Sequence, residues 1–154
     1  IVSKIIPKKY IAIAIGGEWG YKTFNKWDKV IQNILQEIEG LNIVFLGSEN
    51  AKKNGVELLN QFPDHFLLDF TSRLSFNQTA EVIKKSKVFL CCDGGLMHAA
   101  AGLNAKFIPL LARLPAEMLL TQEVTKYKLY DNSNVNNIKV KDILSNFYEV
   151  YYSI

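Results

Sequence analysis

The sequence predicts an α/β fold, a Rossmann-like parallel sheet with helices on both faces. Short apolar runs alternate along the chain with segments whose apolar residues recur every three or four positions, the pattern of strands followed by amphipathic helices. The strand runs, such as Tyr10 to Ile15, are apolar at every position, which is typical of strands covered on both faces. The length of 154 residues, 49% of them hydrophobic, suits a single globular domain.

The amino-terminal half alternates strands and helices. The predicted elements are a strand from Tyr10 to Ile15, a helix from Trp27 to Ile38, a strand from Asn42 to Gly47, a helix from about Glu49 to Phe62 and a strand from Phe66 to Phe70. The first helix has its apolar residues on one face, and Gly40 supplies its stop. Residues 1–9 are predicted to be a lead-in segment, and residues 10–154 to form the domain itself.

The carboxyl-terminal half continues the alternation. Ser75 and Gln78 form a predicted capping box that begins a helix through Val82 and Ile83. The remaining predicted elements are a strand from Val88 to Cys92, a small-residue helix that carries His98, a strand from Lys106 to Leu111, a strand from Tyr127 to Tyr130, a polar loop from Asp131 to Asn137 and a closing helix with Val140, Ile143, Leu144, Phe147 and Tyr151 on one face. In sheets of this kind, ligands bind outside the carboxyl ends of the strands.

Composition argues against several classes of function. The formal charge is only +3, with lysines scattered among acids, so no nucleic-acid partner is expected. No stretch approaches the roughly 18 to 20 apolar residues needed to span a bilayer, so no transmembrane segment is expected. No set of His, Asp and Glu has metal-binding spacing, and no metal is expected.

The two cysteines suggest the redox compartment of the protein, and the first residue suggests the extent of the chain. Cys91 and Cys92 are neighbours in one predicted strand and are interpreted as small buried residues in a reducing compartment, with a catalytic thiol as the alternative. The chain begins on Ile1 without an initiator Met, which leads us to expect a piece of a longer protein.

The strongest signal is Asp93-Gly94-Gly95-Leu96-Met97-His98, where a buried strand passes into a helix. A glycine pair lets the backbone approach a ligand, and the helix N-terminus offers N–H groups to an anion. With Asp93 beside it, the turn predicts a ligand that carries both phosphate and hydroxyl groups. The alternative is that Asp93 only caps the helix and the glycines only make a tight turn. His98 is interpreted either as a phosphate donor or loop support, or as an ordinary structural histidine.

Two further loops are expected at the same edge of the sheet. Gly16, Gly17 and Lys22 follow the first strand, and together with the Asp93 turn they resemble a diphosphate clamp; a plain surface lysine is the alternative. Glu49 follows the second strand. An acid at this place either binds a ribose hydroxyl or is simply stabilised by the dipole of the helix that it begins. Trp19 is expected to line the pocket. The P-loop and NAD fingerprints are absent from the sequence.

From Ile11 to about Leu111 the chain resembles the carboxyl-terminal half of glycosyltransferase family 9, the heptosyltransferases of lipopolysaccharide core assembly. The family signature, Asp-(Ser/Thr)-Gly-(Pro/Leu)-x-His followed by alanines, is similar to residues 93–100 here. The family's strand, glycine loop, Lys and aromatic residue are similar to Ile11 to Phe24, and its strand ending in Gly is similar to Ile43 to Gly47.

The resemblance implies one half of a GT-B glycosyltransferase, with residues 10–154 as its nucleotide-sugar-binding domain. Lys22, Gly94 and Gly95 would contact the donor diphosphate, Asp93 the sugar hydroxyls and Glu49 the ribose, while Leu74 and Ser75 would lie near the base. The expected donor-binding residues are Gly16, Gly17, Lys22, Glu49, Leu74, Ser75, Asp93, Gly94, Gly95 and His98.

The expected activity is an inverting sugar transfer in lipopolysaccharide or cell-surface glycan assembly. The resemblance places the catalytic base in an amino-terminal half, which would also bind the glycolipid or oligosaccharide acceptor, so no catalytic residue is expected in this chain and the chain alone is expected to be inactive. The donor is a nucleotide-sugar, with an ADP-sugar favoured, and no cofactor is expected. The expected location is cytoplasmic, or peripheral at the inner face of the bacterial membrane.

Two departures from the family pattern keep an alternative open. Gly94 stands where the family has Ser or Thr, and Ala112-Arg113-Leu114-Pro115 stands where the family usually continues Gly-Pro-Thr. Arg113 either substitutes as an anion ligand or marks an altered pocket. The alternative function is a non-catalytic nucleotide-sugar-binding or interaction module, and a nucleotide-sugar epimerase fits the Asp93 to His98 spacing less well.

Overall fold

The structure is a computed structural model that describes residues 6–17, 20–114 and 127–153. Its centre is a six-stranded sheet with strand order β3-β2-β1-β4-β5-β6, in which every pair of neighbouring strands is parallel. The strands are β1 (Ile11–Ala14), β2 (Ile43–Leu46), β3 (Leu67–Asp69), β4 (Phe89–Cys92), β5 (Phe107–Ala112) and β6 (Leu129–Asp131). The predicted fold class is confirmed, and each predicted strand lies within two residues of an observed one.

The helices of the described residues alternate with these strands. They are α1 (Trp27–Glu37), α2 (Lys52–Gln61), α3 (Phe76–Lys85), α4 (Gly95–Gly102) and α5 (Val140–Tyr151). Short 3-10 turns occupy Gly20–Lys22, Glu49–Ala51 and Val135–Asn137. The turn at Glu49–Ala51 differs from the sequence prediction, which had one continuous helix beginning near Glu49.

The core lies on both faces of the sheet. Because side chains of a strand alternate between faces, Ile11 and Ile13 of β1 pack on one side while Ala12 and Ala14 pack on the other. Helices α1, α2 and α5 cover the first face, and α3 and α4 cover the second. Both faces are therefore buried, as the uniformly apolar strand sequences predicted.

The cysteines follow the same alternation. Cys91 belongs to the core on the α3–α4 side and Cys92 to the core on the opposite side. Burial raises the pKa of Cys91, and it raises the pKa of Cys92 to about 12. Both thiols are thus held in the protonated, unreactive form at neutral pH, in agreement with the interpretation of small buried residues.

The strand order positions a ligand site. From β1 the chain proceeds outward through β2 and β3, then returns to the other side of β1 with β4. Loops after β1 and β4 consequently leave the sheet in opposite directions, which opens a crevice at their carboxyl ends. Residues 1–5 of the predicted lead-in segment lie outside the described residues, and Ile6 packs against the core on the α3–α4 side.

Candidate functional site

A crevice of about 560 Å³ lies at the carboxyl edge of the sheet. The loops after β1, β2, β3 and β4 form its walls, so the three loops singled out in the sequence come together, with a fourth from β3. The lining residues are Ala14, Gly16, Gly17, Lys22, Gly47, Ser48, Glu49, Asn50, Ser72, Leu74, Phe76, Thr79, Cys92, Asp93, Gly94, Gly95 and Leu96. Eight of the ten predicted donor-binding residues are among them; Ser75 and His98 are not.

Close backbone packing joins the first two loops. A Cβ at Gly16 would stand 2.7 Å from the Cβ of Ala51, and a Cβ at Gly47 would meet the same atom at the same distance. Gly47 also has φ +150°, which side-chain-bearing residues rarely adopt. These glycines are therefore required for the β1 and β2 loops to approach each other, and the floor of the crevice between them is bare backbone.

An ion pair joins the β1 loop to the β4 turn. The Lys22 Nζ lies 3.1 Å from an Asp93 carboxylate oxygen, and the two side chains are 24% and 12% exposed. Lys22 is the last residue of the 3-10 turn that begins at Gly20, and Asp93 comes directly after β4. A cation and a carboxylate predicted at two separate loops thus meet in the lining of one crevice.

The glycine turn opens α4 toward the crevice. Gly94 precedes the helix, which begins at Gly95. Apart from the adjoining residues and the helix's own backbone, no atom lies within 4 Å of the position that a Cβ would take at either residue, so the glycines face open space. The first-turn N–H groups of a helix have no partner within it and carry partial positive charge, so this turn can receive an anion beside Lys22.

The β2 and β3 loops present hydroxyl and carboxylate groups. Ser72 donates a 2.6 Å hydrogen bond from its hydroxyl to the Glu49 carboxylate, and its backbone N–H donates to the Gly47 carbonyl at 2.8 Å. Ser48 donates its hydroxyl to the Asn50 side chain, which in turn donates to the Gly17 carbonyl. Glu49 is therefore held at the crevice wall with one carboxylate oxygen bound and with acceptor capacity left for a ligand hydroxyl.

The end of the crevice beyond Glu49 is apolar. Leu74 is half-buried against the core, and Phe76, the first residue of α3, is 63% exposed. Sequence reasoning missed Phe76, because an apolar residue at the start of an amphipathic helix is indistinguishable from a core residue until the helix is oriented. Ser48 and Asn50 lie in the predicted ligand loop after β2 but were not assigned a role, and Ser72 was missed, since short polar residues after a strand are typical of any loop.

Two predicted site residues lie outside the crevice lining. Ser75 caps α3: its hydroxyl accepts from the Gln78 backbone N–H at 3.1 Å, and its own N–H donates to the Gln78 side chain at 2.9 Å. This confirms the predicted capping box and gives the side chain a structural role. His98 is the fourth residue of α4 and is exposed, and its backbone N–H donates to the Gly94 carbonyl.

Two other sequence expectations concern the rim of the site. Arg113 does not line the crevice; its guanidinium lies over the Tyr21 ring, 4.0 Å from the ring centre. Trp19, which was expected to line the pocket, lies outside the described residues.

Among the residues that the structure describes, no three His, Cys, Asp or Glu side chains form a group that would hold a metal ion. No helix in the same ranges has the length and apolar character to cross a membrane.

A family match covers most of the chain. The sequence profile of glycosyltransferase family 9 (heptosyltransferase) matches residues 2–134. No curated protein matches the chain significantly.

Solved structures share the fold. The structure titled E. coli ADP-heptose lps heptosyltransferase II is 18% identical with a TM-score of 0.77, and the match covers 94% of this chain and 46% of that one. A glycosyl transferase family 9 structure from Veillonella parvula is 11% identical with a TM-score of 0.79, over 97% of this chain and 48% of that one. E. coli heptosyltransferase WaaC with ADP is 17% identical with a TM-score of 0.71, over 92% and 44%. The chain thus spans about half the length of each of these proteins.

Proposed function

This chain belongs to glycosyltransferase family 9, and on that premise we propose that it is the donor-binding half of a GT-B enzyme that transfers a sugar from a nucleotide-sugar with inversion. The observation that carries the proposal is the chemical order of groups along one crevice. Cationic and amide groups lie where the β1 and β4 loops meet, a carboxylate follows at β2, and an apolar wall ends the crevice after β3. A nucleoside diphosphate has the same order of diphosphate, ribose and base.

The diphosphate end is assigned to Lys22 and the β4 turn. Lys22 supplies a positive charge, and the N–H groups at Gly94 and Gly95 supply fixed donors without a Cβ in the way. Glu49 would accept from ribose hydroxyls, and Leu74 with Phe76 would cover the base. Asp93, on the far side of Lys22 from Glu49, is assigned to the hydroxyls of the donor sugar.

These groups would act on the leaving diphosphate. In the transfer, the acceptor hydroxyl gives its proton to a base, its oxygen forms a bond to the anomeric carbon, and the bond from that carbon to the diphosphate oxygen breaks. Negative charge then grows on the diphosphate, where Lys22 and the amide cradle stabilise it; one preorganised donor of this kind contributes roughly 3 kcal/mol. We assign the base and the acceptor site to an amino-terminal half, so this chain by itself would bind donor without turnover.

We favour an ADP-sugar as donor and a heptose-like sugar as the transferred group. The support is that two similar structures are described as an ADP-heptose heptosyltransferase and as a heptosyltransferase with ADP. The acceptor would be a glycolipid or oligosaccharide of lipopolysaccharide or related cell-surface glycans, and the protein would work in the cytoplasm or at the inner face of the membrane.

A second candidate function is a nucleotide-sugar-binding or interaction module without turnover. It is favoured by Gly94, which removes a hydroxyl that the family offers to a phosphate, and by Arg113, which stacks on Tyr21 instead of lining the crevice. Transfer activity of a longer protein that contains this chain separates the two: release of ADP from an ADP-sugar with acceptor present supports the enzyme, and donor binding without release supports the module.

Calorimetric titration tests donor binding directly. ADP, UDP, ADP-sugars and UDP-sugars are added separately to the wild-type chain and to the Lys22→Ala and Asp93→Ala variants. We expect ADP to bind, Lys22→Ala to weaken ADP at least about tenfold, as loss of one charge-assisted contact implies, and Asp93→Ala to weaken the ADP-sugar without weakening ADP. Absence of binding by every nucleotide would overturn the proposal, and unchanged affinity in Lys22→Ala would overturn the diphosphate assignment.

A further inference from the structure

Arg113 occupies an unusual place at the carboxyl end of β5. Its backbone has φ +56°, a left-handed conformation that side-chain-bearing residues adopt only where surrounding contacts compensate. The contacts are specific: the guanidinium lies 4.0 Å above the centre of the Tyr21 ring, and its Nε donates a 2.8 Å hydrogen bond to the Ser133 carbonyl. One side chain therefore links the β1 loop to the segment after β6.

Tyr21 is the direct neighbour of Lys22 in the 3-10 turn. The Lys22 Nζ lies 5.9 Å from the Tyr21 ring centre and 3.1 Å from the Asp93 carboxylate. The turn contains no fully buried residue: Tyr21 packs partly buried against the core, and the Thr23 N–H donates to the Gly20 carbonyl at 3.2 Å. A short, partly exposed turn of this kind takes its conformation largely from the contacts that its side chains make with other segments.

The segment after β6 holds the same loop at a second point. Asn136 donates from its side-chain amide to the Thr23 carbonyl at 2.9 Å and accepts from the Asn25 N–H at 2.8 Å. Asp131 orders this segment through hydrogen bonds from the Ser133 and Asn134 N–H groups and the Asn137 side chain. Those hydrogen bonds lower the pKa of Asp131 to about 2, so it is ionised at neutral pH and keeps the segment in place.

We infer that Arg113 is a positioning residue that fixes Lys22 for the donor diphosphate by stacking on Tyr21, with the Asp131–Asn137 segment as its support. The inference rests on the proposed function. Arg113 acts through Tyr21 and does not itself contact the diphosphate. This interpretation explains why residues 112–115 differ from the family pattern: Arg113 supplies a planar cation that contacts Tyr21, next to Lys22.

The geometry separates stacking from charge. A guanidinium is planar, so it can lie flat on an aromatic ring while its Nε donates in the same plane. An ammonium can also lie over a ring, as Lys87 does over Tyr151 at 4.0 Å, but it has no planar face to stack and no fixed fork of donors. Arg113→Lys therefore keeps the charge and removes the stack. Arg113→Gly removes the whole side chain and still accepts the positive φ, so the backbone turn is kept.

The experiment is a double-mutant cycle for ADP binding. Dissociation constants are measured by calorimetry for the wild type, Arg113→Gly, Arg113→Lys, Lys22→Ala and the Arg113→Gly/Lys22→Ala double variant. We expect Arg113→Gly and Arg113→Lys each to weaken ADP about fivefold or more, and Arg113→Gly to have no further effect once Lys22 is absent. Asn104→Gly, at a second position with positive φ (+55°) that does not line the crevice, is the matched control and should bind ADP like the wild type.

The outcomes are distinct. Wild-type affinity in Arg113→Gly, or an equal effect of Arg113→Gly with and without Lys22, overturns the inference, because a positioning residue must act through the residue that it positions. Full affinity in Arg113→Lys shows that charge alone suffices and also overturns it. Amide hydrogen exchange of residues 20–25 supplies a second measurement that needs no ligand, and it should speed up in Arg113→Gly. If the wild type binds no nucleotide, the proposed function fails, and the exchange rates still decide whether Arg113 orders the loop.

Discussion

At the residue scale, the central fact is that Lys22 and Asp93 are each other's partner. Both side chains are largely buried, so the cost of removing their charges from water offsets their attraction and the pair contributes little to folding stability. Their proximity instead cancels the two charges where the β1 loop meets the β4 turn. A diphosphate that approaches Lys22 would gain a cation and meet Asp93 as a repelling neighbour, unless the carboxylate turns to the sugar hydroxyls. The pair therefore suits a ligand that carries both groups better than it suits a free diphosphate.

Some residues of the crevice could be predicted from the sequence and others could not. The difference lies in how many structural roles each residue type commonly has. Glycine pairs after two strands, one beside an acid and one followed by a lysine, pointed to a ligand site only in combination, and Gly94, Gly95, Lys22 and Asp93 do line one crevice. Phe76 did not point to a site, because most phenylalanines in a sequence of this composition are buried. Its location in the crevice depends on which way α3 turns, and that is decided by packing between elements.

Phe76→Ala tests the apolar end of the crevice. Stacking of a base on an aromatic ring is worth about 1–3 kcal/mol, so we expect ADP affinity to fall roughly 5- to 150-fold. Phe76 is 63% exposed, and its loss should leave the free energy of unfolding nearly unchanged. Phe66→Ala is the matched control. Phe66 is 49% exposed just before the amino end of β3 and does not line the crevice, so its variant should keep full affinity. Equal ADP affinities for the Phe76 variant and the wild type would show that the base does not contact Phe76.

At the element scale, α3 shows how a local signal fixes a boundary. Ser75 and Gln78 satisfy each other's backbone N–H groups, so the helix must begin at Phe76. Because of this boundary, Phe76 is the first helical residue and lines the crevice, while Ser75 is the N-cap. The sequence contained the capping box, but it did not show that a capping side chain would have its hydrogen-bonding groups occupied and be withdrawn from the ligand.

Other boundaries were less predictable for physical reasons. The 3-10 turn at Glu49–Ala51 is imposed by close packing, since the Ala51 Cβ fits against Gly16 and Gly47. Periodicity in a sequence reports the apolar face of a helix and is silent on such a contact. The β6 strand is short and only partly buried, and this is why its pattern was weak in the sequence.

Ser75→Ala separates the structural role of the cap from a role in binding. Loss of an N-cap costs about 1 kcal/mol, within a range of roughly 0.5–2, so we expect the free energy of unfolding to drop by that amount in urea titrations. ADP affinity should remain within about twofold of the wild type. The variant is thus the reciprocal of Phe76→Ala, which should lose affinity and keep stability. A large loss of ADP affinity in Ser75→Ala, at unchanged stability, would return Ser75 to the binding site.

At the scale of the whole molecule, the site exists because of the strand order. Gly16, Glu49 and Asp93 are far apart in the sequence and meet only because β1 lies between β2 and β4. Alternation of strands and helices predicted a parallel sheet, and carboxyl-end loops could then be expected to face one edge. The order of the strands could not be predicted from the pattern, since any order satisfies the same apolar periodicity.

Binding at this junction should stabilise the entire fold, because the ligand contacts loops from four of the six strands. A ligand at one hundred times its dissociation constant adds about 2.7 kcal/mol to the free energy of unfolding. For a chain of this size, each kcal/mol raises the Tm by about 2–4 °C, so saturating ADP should raise the Tm by roughly 5–10 °C in a thermal scan. Adenosine, which lacks the diphosphate, should give a much smaller rise at the same concentration. Lys22→Ala should lose most of the ADP effect, because the charge that holds the diphosphate between the β1 and β4 loops is gone. An equal rise in Tm with adenosine would show that the diphosphate contributes nothing and that the junction of the β1 and β4 loops is not where the nucleotide is held.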